Sequence, residues 1–216
     1  MIKKYFLLNA LFVFSVTSYA EPLDPVKLLS SYVGIDTVNP PGNESRAVDF
    51  YAKIFEEEGI EFSSAESAPG RGNIWARIKG GDLPALILLQ HTDVVPATKK
   101  YWDTDPFVAE IKDGYLYGRG VIDMKGAGIS QLVSFIRLHR SGLSLNRDVV
   151  FVATADEEAG GMFGAGWLID NHPEIFEGAG FVINEGGSGQ IIDGEKVFAI
   201  EITQKVPVWL RFTAVD

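Results

Sequence analysis

Ala85-Leu86-Ile87-Leu88-Leu89 runs without a polar break into Gln90-His91-Thr92-Asp93. Five consecutive apolar residues of this kind suit a central β-strand covered on both faces of a sheet. The same pattern recurs twice. Residues 149–153, Val-Val-Phe-Val-Ala, lead into Thr154-Ala155-Asp156-Glu157-Glu158, and residues 181–183, Phe-Val-Ile, lead into Asn184-Glu185-Gly186-Gly187. Three expected buried strands therefore each end in imidazole or carboxylate groups followed by a turn. In open α/β sheets, ligands bind beyond the carboxyl ends of the strands. Acids gathered there with a histidine are costly unless a cation neutralises them, so the pattern points to a metal centre.

The segments between these strands read as helices and lesser strands. Asp24 is placed to cap a short helix starting at Pro25, with Val26, Leu28, Leu29, Tyr32 and Val33 as its apolar positions. Asn39-Pro40-Pro41-Gly42 is a loop, and a second helix runs from about Glu44 to Gly59. Residues 73–78 alternate like a half-buried strand, and residues 107–117 form a hairpin around Asp113-Gly114. Ile129, Leu132, Val133 and Ile136 mark a helix that ends near Gly142, and residues 162–171 are expected to be helical. Strands alternating with helices predict an α/β fold with a mixed, largely parallel sheet flanked by helices.

The bulk properties exclude other classes. The chain has 216 residues, enough for one domain with a real core, and 46% of them are hydrophobic. A formal net charge of −10 argues against a nucleic-acid partner, which requires a basic face. There is no cysteine, so disulfides, thiol nucleophiles and thiolate-bound zinc are excluded and any metal must be held by His, Asp and Glu. Lys3, Lys4, the apolar run of residues 6–16 and the small-x-small site Ser18-Tyr19-Ala20 mark residues 1–20 as a secretory signal peptide. The run is short for a membrane span. Cleavage after Ala20 would remove two lysines, taking the charge from −10 to −12. The expected location is secreted or periplasmic, with no membrane segment after cleavage.

Each candidate residue also has an ordinary structural role open to it. His91 and Asp93 are two apart, so on an extended segment both point to one face. One can bind metal while the other accepts the second ring N–H, although a lone histidine is more often a satisfied core residue. Glu157 and Glu158 are adjacent and point different ways, so one can bind metal while the other serves as general base. Alternatively, they are solvated acids at a strand end. Asp123, in Gly118-Arg119-Gly120-Val121-Ile122-Asp123-Met124-Lys125-Gly126, is placed either to cap the following helix or to bridge two metals.

Five motifs in order carry a resemblance. They are Gln90-His91-Thr92-Asp93-Val94-Val95-Pro96, Trp102 with Asp105-Pro106-Phe107, the segment from Gly118-Arg119-Gly120 to Asp123-Met124-Lys125-Gly126, Asp156-Glu157-Glu158, and Asn184-Glu185-Gly186-Gly187. Together they resemble the dizinc metallopeptidase family of aminoacylase, acetylornithine deacetylase, succinyl-diaminopimelate desuccinylase and glutamate carboxypeptidase. The resemblance implies a zinc-peptidase-like catalytic domain and two Zn2+ per subunit, with Co2+ or Mn2+ as substitutes. It implies that His91 binds one metal, Asp123 bridges both, Glu158 binds the other and Glu185 completes the first. Asp93 would orient His91, Glu157 would be the general base, and a cis peptide would follow Asp123. The implied substrate is a small peptide or N-acyl amino acid, and Glu185 in place of Asp leans towards the carboxypeptidase and aminoacylase side.

The family pattern also requires a downstream histidine. His139 and His172 lie at no strand end and read as structural or surface residues. The expectation is a catalytic domain over residues 21–205, C-terminally truncated, with residues 206–216 opening an inserted dimerisation and lid domain and the full-length protein a homodimer. The competing readings are a non-catalytic exported metal- or solute-binding protein and an inactive fragment of the enzyme. Glu157 separates the first from an enzyme, because a binding protein needs no base beside its metal.

Overall fold

The structure, a computed structural model, describes residues 22–200, 210 and 212–214. The expected signal peptide lies outside them, as does most of the segment 206–216 expected to open an inserted domain. In chain order the main elements are α1 (Pro25–Val33), α2 (Ser45–Glu58), β1 (Phe62–Glu66), β2 (Gly72–Ile78), β3 (Leu83–His91), β4 (Glu110–Lys112) and β5 (Tyr115–Tyr117). There follow α3 (Gly126–Ser141), β6 (Arg147–Thr154), α4 (Ala165–Asn171), β7 (Ala179–Ile183), β8 (Ser188–Ile192) and β9 (Glu195–Ala199). Among the described residues no helix is long and apolar enough to cross a membrane.

Five strands form one sheet in the order β1-β2-β6-β3-β7. The β3/β6 and β3/β7 pairs are parallel, whereas β1/β2 and β2/β6 are antiparallel. Only β2 is therefore reversed, and the sheet is mixed but largely parallel, as expected. His91 pairs with Thr154 and Leu88 with Ile183, so the carboxyl ends of β3, β6 and β7 share one edge.

The alternation of β6 divides the core. Val149, Phe151 and Ala153 face a cluster with Tyr32 of α1, Tyr51 and Phe55 of α2, and Leu132, Phe135 and Ile136 of α3. Val150 and Val152 face a second cluster with Ala85, Ile87, Leu168 of α4 and Ile175. Helices thus cover both faces of the central strands, which explains why β3 and β6 are near-continuous apolar runs. Asp24 caps α1 by accepting from the amides of Val26 and Lys27.

Several expectations need correction. β7 was expected to be a buried strand, yet Phe181, Val182 and Ile183 are 61%, 54% and 50% exposed. It sits at the sheet edge with β3 as its one described neighbour, and an apolar run records a strand's affinity for cover without supplying it. The helix expected over 162–171 starts at Ala165, because the chain turns through Gly161 and Gly164 first. β1 is largely polar and was not anticipated. Neither was the β8/β9 hairpin, although it turns on Asp193-Gly194, both at positive φ.

Candidate active site

β3 delivers His91 and Asp93 to the shared edge, and the strand end is pinned from several sides. The buried Gln90 side chain accepts from Tyr51 Oη at 2.8 Å, and the Thr92 amide donates to Thr154 O at 2.8 Å. Thr37 Oγ1 donates to Thr92 O at 2.7 Å. His91 is therefore held rigidly, with its side chain 2% exposed.

Four carboxylate side chains converge around its ring. His91 Nε2 lies 3.0 Å from Asp123 Oδ1, 3.3 Å from Glu185 Oε2 and 3.9 Å from Glu157 Oε2. Candidate donor atoms of His91, Asp123 and Glu158 lie within 4.8 Å of one another, as do those of His91, Glu157 and Glu185. Asp123 does not cap α3, whose N-cap is Lys125. It lies instead in a wide turn over Val121–Lys125 with φ −119 and ψ 101, and the Asp123–Met124 peptide is cis, as the resemblance implies. This extended backbone turns the carboxylate away from the helix and towards His91.

Asp93 is a hub for the site. Its Oδ1 accepts from the Glu157 amide at 3.1 Å, and its Oδ2 accepts from the Glu158 amide at 3.1 Å and from Asn39 Nδ2 at 2.7 Å. His91 Nδ1 lies 3.0 Å from the main-chain oxygen of Asp93 and 3.4 Å from Oδ1, so both backbone and side chain of Asp93 face that nitrogen. Burial opposes the charge of Asp93, but the hydrogen bonds from His91 and Asn39 outweigh it and hold the carboxyl below its usual range. Asn39 carried no functional expectation in the sequence; its one signal is a polar side chain opening a rigid Pro-Pro-Gly loop.

The electrostatics ask for a cation. Burial pushes the His91 ring towards neutrality, but Asp93, Glu185 and Glu157 outweigh burial and raise its pKa to about 10. Burial, then the Asp123 charge, raises Glu158 to about 7, and burial with the Glu157 and Asp123 charges raises Glu185 against the opposing pull of His91. Oε1 of Glu158 is buried with no hydrogen-bond partner among the described residues. One imidazole and four carboxylates, one of them with an orphaned oxygen, are a donor set suited to borderline divalent ions such as zinc. His139 lies in the last turn of α3, and His172 sits between the Trp75 and Trp167 rings, with centroids at 5.0 and 5.2 Å. Neither belongs to these donor groups.

Residues 87–209, which include both groups, match the family model described as Peptidase family M20/M25/M40. The chain belongs to that family. Over 193 residues it is 33% identical to aminoacylase-1 of Homo sapiens, covering 88% of this chain and 46% of the relative. It is 36% identical over 148 residues to succinyl-diaminopimelate desuccinylase of Parvibaculum lavamentivorans, covering 66% of this chain and 36% of the relative. The fold is that of an M20 family metallo-carboxypeptidase from Sulfolobus solfataricus, with a TM-score of 0.65, 22% identity, and 76% of this chain and 38% of that one covered. This M20 chain spans about half the length of the curated relatives it matches.

Proposed function

We propose that the protein is a metal-dependent hydrolase of peptide or N-acyl amino acid amide bonds, with Glu157 as general base. The observation that carries this reading is the convergence of His91, Asp123, Glu157, Glu158 and Glu185, delivered by three strand ends and one turn, with donor atoms within 4.8 Å of one another in each group. The aminoacylase and desuccinylase relatives support an amide substrate. In this reading His91 and Glu185 would hold one zinc ion and Glu158 a second, with Asp123 able to serve both. When bound, zinc supplies Lewis acidity, which lowers the pKa of water from 15.7 towards about 7 and polarises a scissile carbonyl.

The chain's own residues then divide the proton work. Glu157 is 49% exposed at its side chain, while its amide is fixed by Asp93, so its carboxylate faces the cleft from a rigid anchor. It takes a proton from the attacking water as the O–C bond forms, and passes that proton to the amine nitrogen as the C–N bond breaks. Buried Asp93 fixes the amides of both glutamates and faces His91 Nδ1, which leaves Nε2 directed at the donor group.

A second reading makes Glu157 a ligand, because its Oε2 falls within the same donor group as His91 and Glu185. We further infer that residues 1–20 export the protein, that residues 21–205 are catalytic, and that residues 206–216 open a further domain. The hydrolase reading is tested by chelating the purified full-length protein, assaying dipeptides and N-acyl amino acids, and restoring zinc. Hydrolysis should vanish and return. Activity untouched by thorough chelation contradicts it.

A further inference from the structure

Beneath the proposed site lies a buried ion cluster that the hydrolytic reading does not use. Arg71, 8% exposed, precedes β2 and reaches under the turn that carries Glu157 and Glu158. Its Nη2 lies 2.6 Å from Asp156 Oδ1 and 2.9 Å from Glu44 Oε1. Its Nη1 donates to Pro41 O at 2.9 Å and faces Asn39 Oδ1 at 3.4 Å. The guanidinium carbon stands 5.1 Å from the centre of the Phe163 ring. Gly42 is required by this packing: a Cβ there would meet the guanidinium carbon at 2.8 Å.

Two routes lead from this guanidinium to the same pair of residues. In the first, Asp156 takes a left-handed conformation, φ 70 and ψ 13, which is unfavourable for a residue with a Cβ and needs support from its surroundings. Its Oδ1 is gripped by Arg71 and its Oδ2 accepts from the Phe163 amide at 3.0 Å. The peptide turns there, so Glu157 and Glu158 leave in the direction that Asp156 sets. In the second route, Asn39 donates to Asp93 Oδ2 at 2.7 Å, and Asp93 accepts from the amides of Glu157 and Glu158. Glu44 and Asp156 are two buried acids paired to one guanidinium, whose planar fork a lysine cannot copy.

We propose that Arg71 is a positioning residue for the hydrolytic site: through Asp156 on one side and Asn39 with Asp93 on the other, it fixes the turn that aims Glu157 and Glu158. This rests on the hydrolase reading above. Arg77 of β2 supplies the control, since it is also partly buried and ion-paired, to Asp148 at 2.9 Å, and donates to the carbonyls of Glu174 and Ile175 rather than to the turn.

The experiment measures kcat and KM of zinc-loaded full-length protein for its best substrate in the amide panel, in Arg71→Met, Arg71→Lys and Arg77→Met. Outer partners of this kind typically change activity by about 10–100-fold. The expected result is a kcat lowered at least about tenfold in both Arg71 variants with KM within about twofold. Arg77→Met should stay within about twofold of wild type in kcat. If Arg71→Met does not fold, Arg71→Lys, which keeps the buried charge, is read alone. The inference is overturned if a folded Arg71 variant keeps kcat within twofold, if KM alone changes, if Arg77→Met loses as much, or if neither Arg71 variant folds. A wild-type protein inactive on the whole panel sinks the hydrolase reading itself, which is a separate failure.

Discussion

The Asp93 carboxylate accepts from Asn39 and from two successive amides, so the two glutamates that follow β6 are anchored by their backbone while their side chains remain available. This division allows a sharp prediction at Glu157. Gln in its place keeps the shape and loses the basic oxygen, so Glu157→Gln should retain bound zinc while kcat falls by about 10²–10⁴-fold. Metal analysis beside steady-state kinetics checks it. Near-normal turnover would reassign the base, and lost zinc would make Glu157 a ligand. Glu44 offers a test that is independent of turnover. Burial, opposed by backbone hydrogen bonds and by Arg71, raises its pKa from 4.5 to about 7. A raised carboxyl stabilises the fold most below the unfolded pKa, and that stability is lost as pH climbs to the folded value. Relative to Glu44→Gln, which does not titrate, the wild type should therefore lose stability between pH 4.5 and about 7, by on the order of 3 kcal/mol, and then level off. Denaturant unfolding of both proteins across that range measures it; parallel curves would show that Glu44 is charged throughout.

Among the elements, β6 carries both the core and the site. Phe151 is fully buried, with its ring centroid 5.3 Å from Tyr51, 5.5 Å from Phe55 and 5.7 Å from Phe135. Removing such a ring leaves a cavity that α2 and α3 cannot close, so Phe151→Ala should destabilise the protein by about 3–5 kcal/mol in chemical denaturation. A loss below 1 kcal/mol would mean the aromatic cluster is loosely packed. The strand that the sequence read best was residues 149–153, where an unbroken apolar run does meet helices on both faces. β7 has the same kind of run and remains exposed on the sheet edge, because cover is a property of the neighbours. β1 has no apolar run; its five residues are recruited by pairing with β2 from Phe62↔Ala76 to Glu66↔Gly72, with Phe62 alone packing on the core cluster.

For the molecule as a whole, the acid-rich strand ends could be read in advance because chemistry placed at a sheet edge leaves a mark in sequence: an apolar run stopped by His or Glu. Asp123 was legible as a candidate, although only the extended turn before α3 shows that it faces His91 rather than capping the helix. The support beneath the site was not legible. Asn39 with Glu44, Arg71 and Asp156 come from three separate stretches of the chain and meet only in the folded state, so no spacing announces them. The central claim is that these strand ends hold two metal ions beside one water-activating glutamate. Anomalous diffraction at the zinc edge, on crystals of the zinc-loaded full-length protein, tests it most directly. The account predicts two peaks, one in bonding contact with His91 and Glu185, the other with Glu158, and both with Asp123. A single peak, or peaks away from these residues, would contradict it.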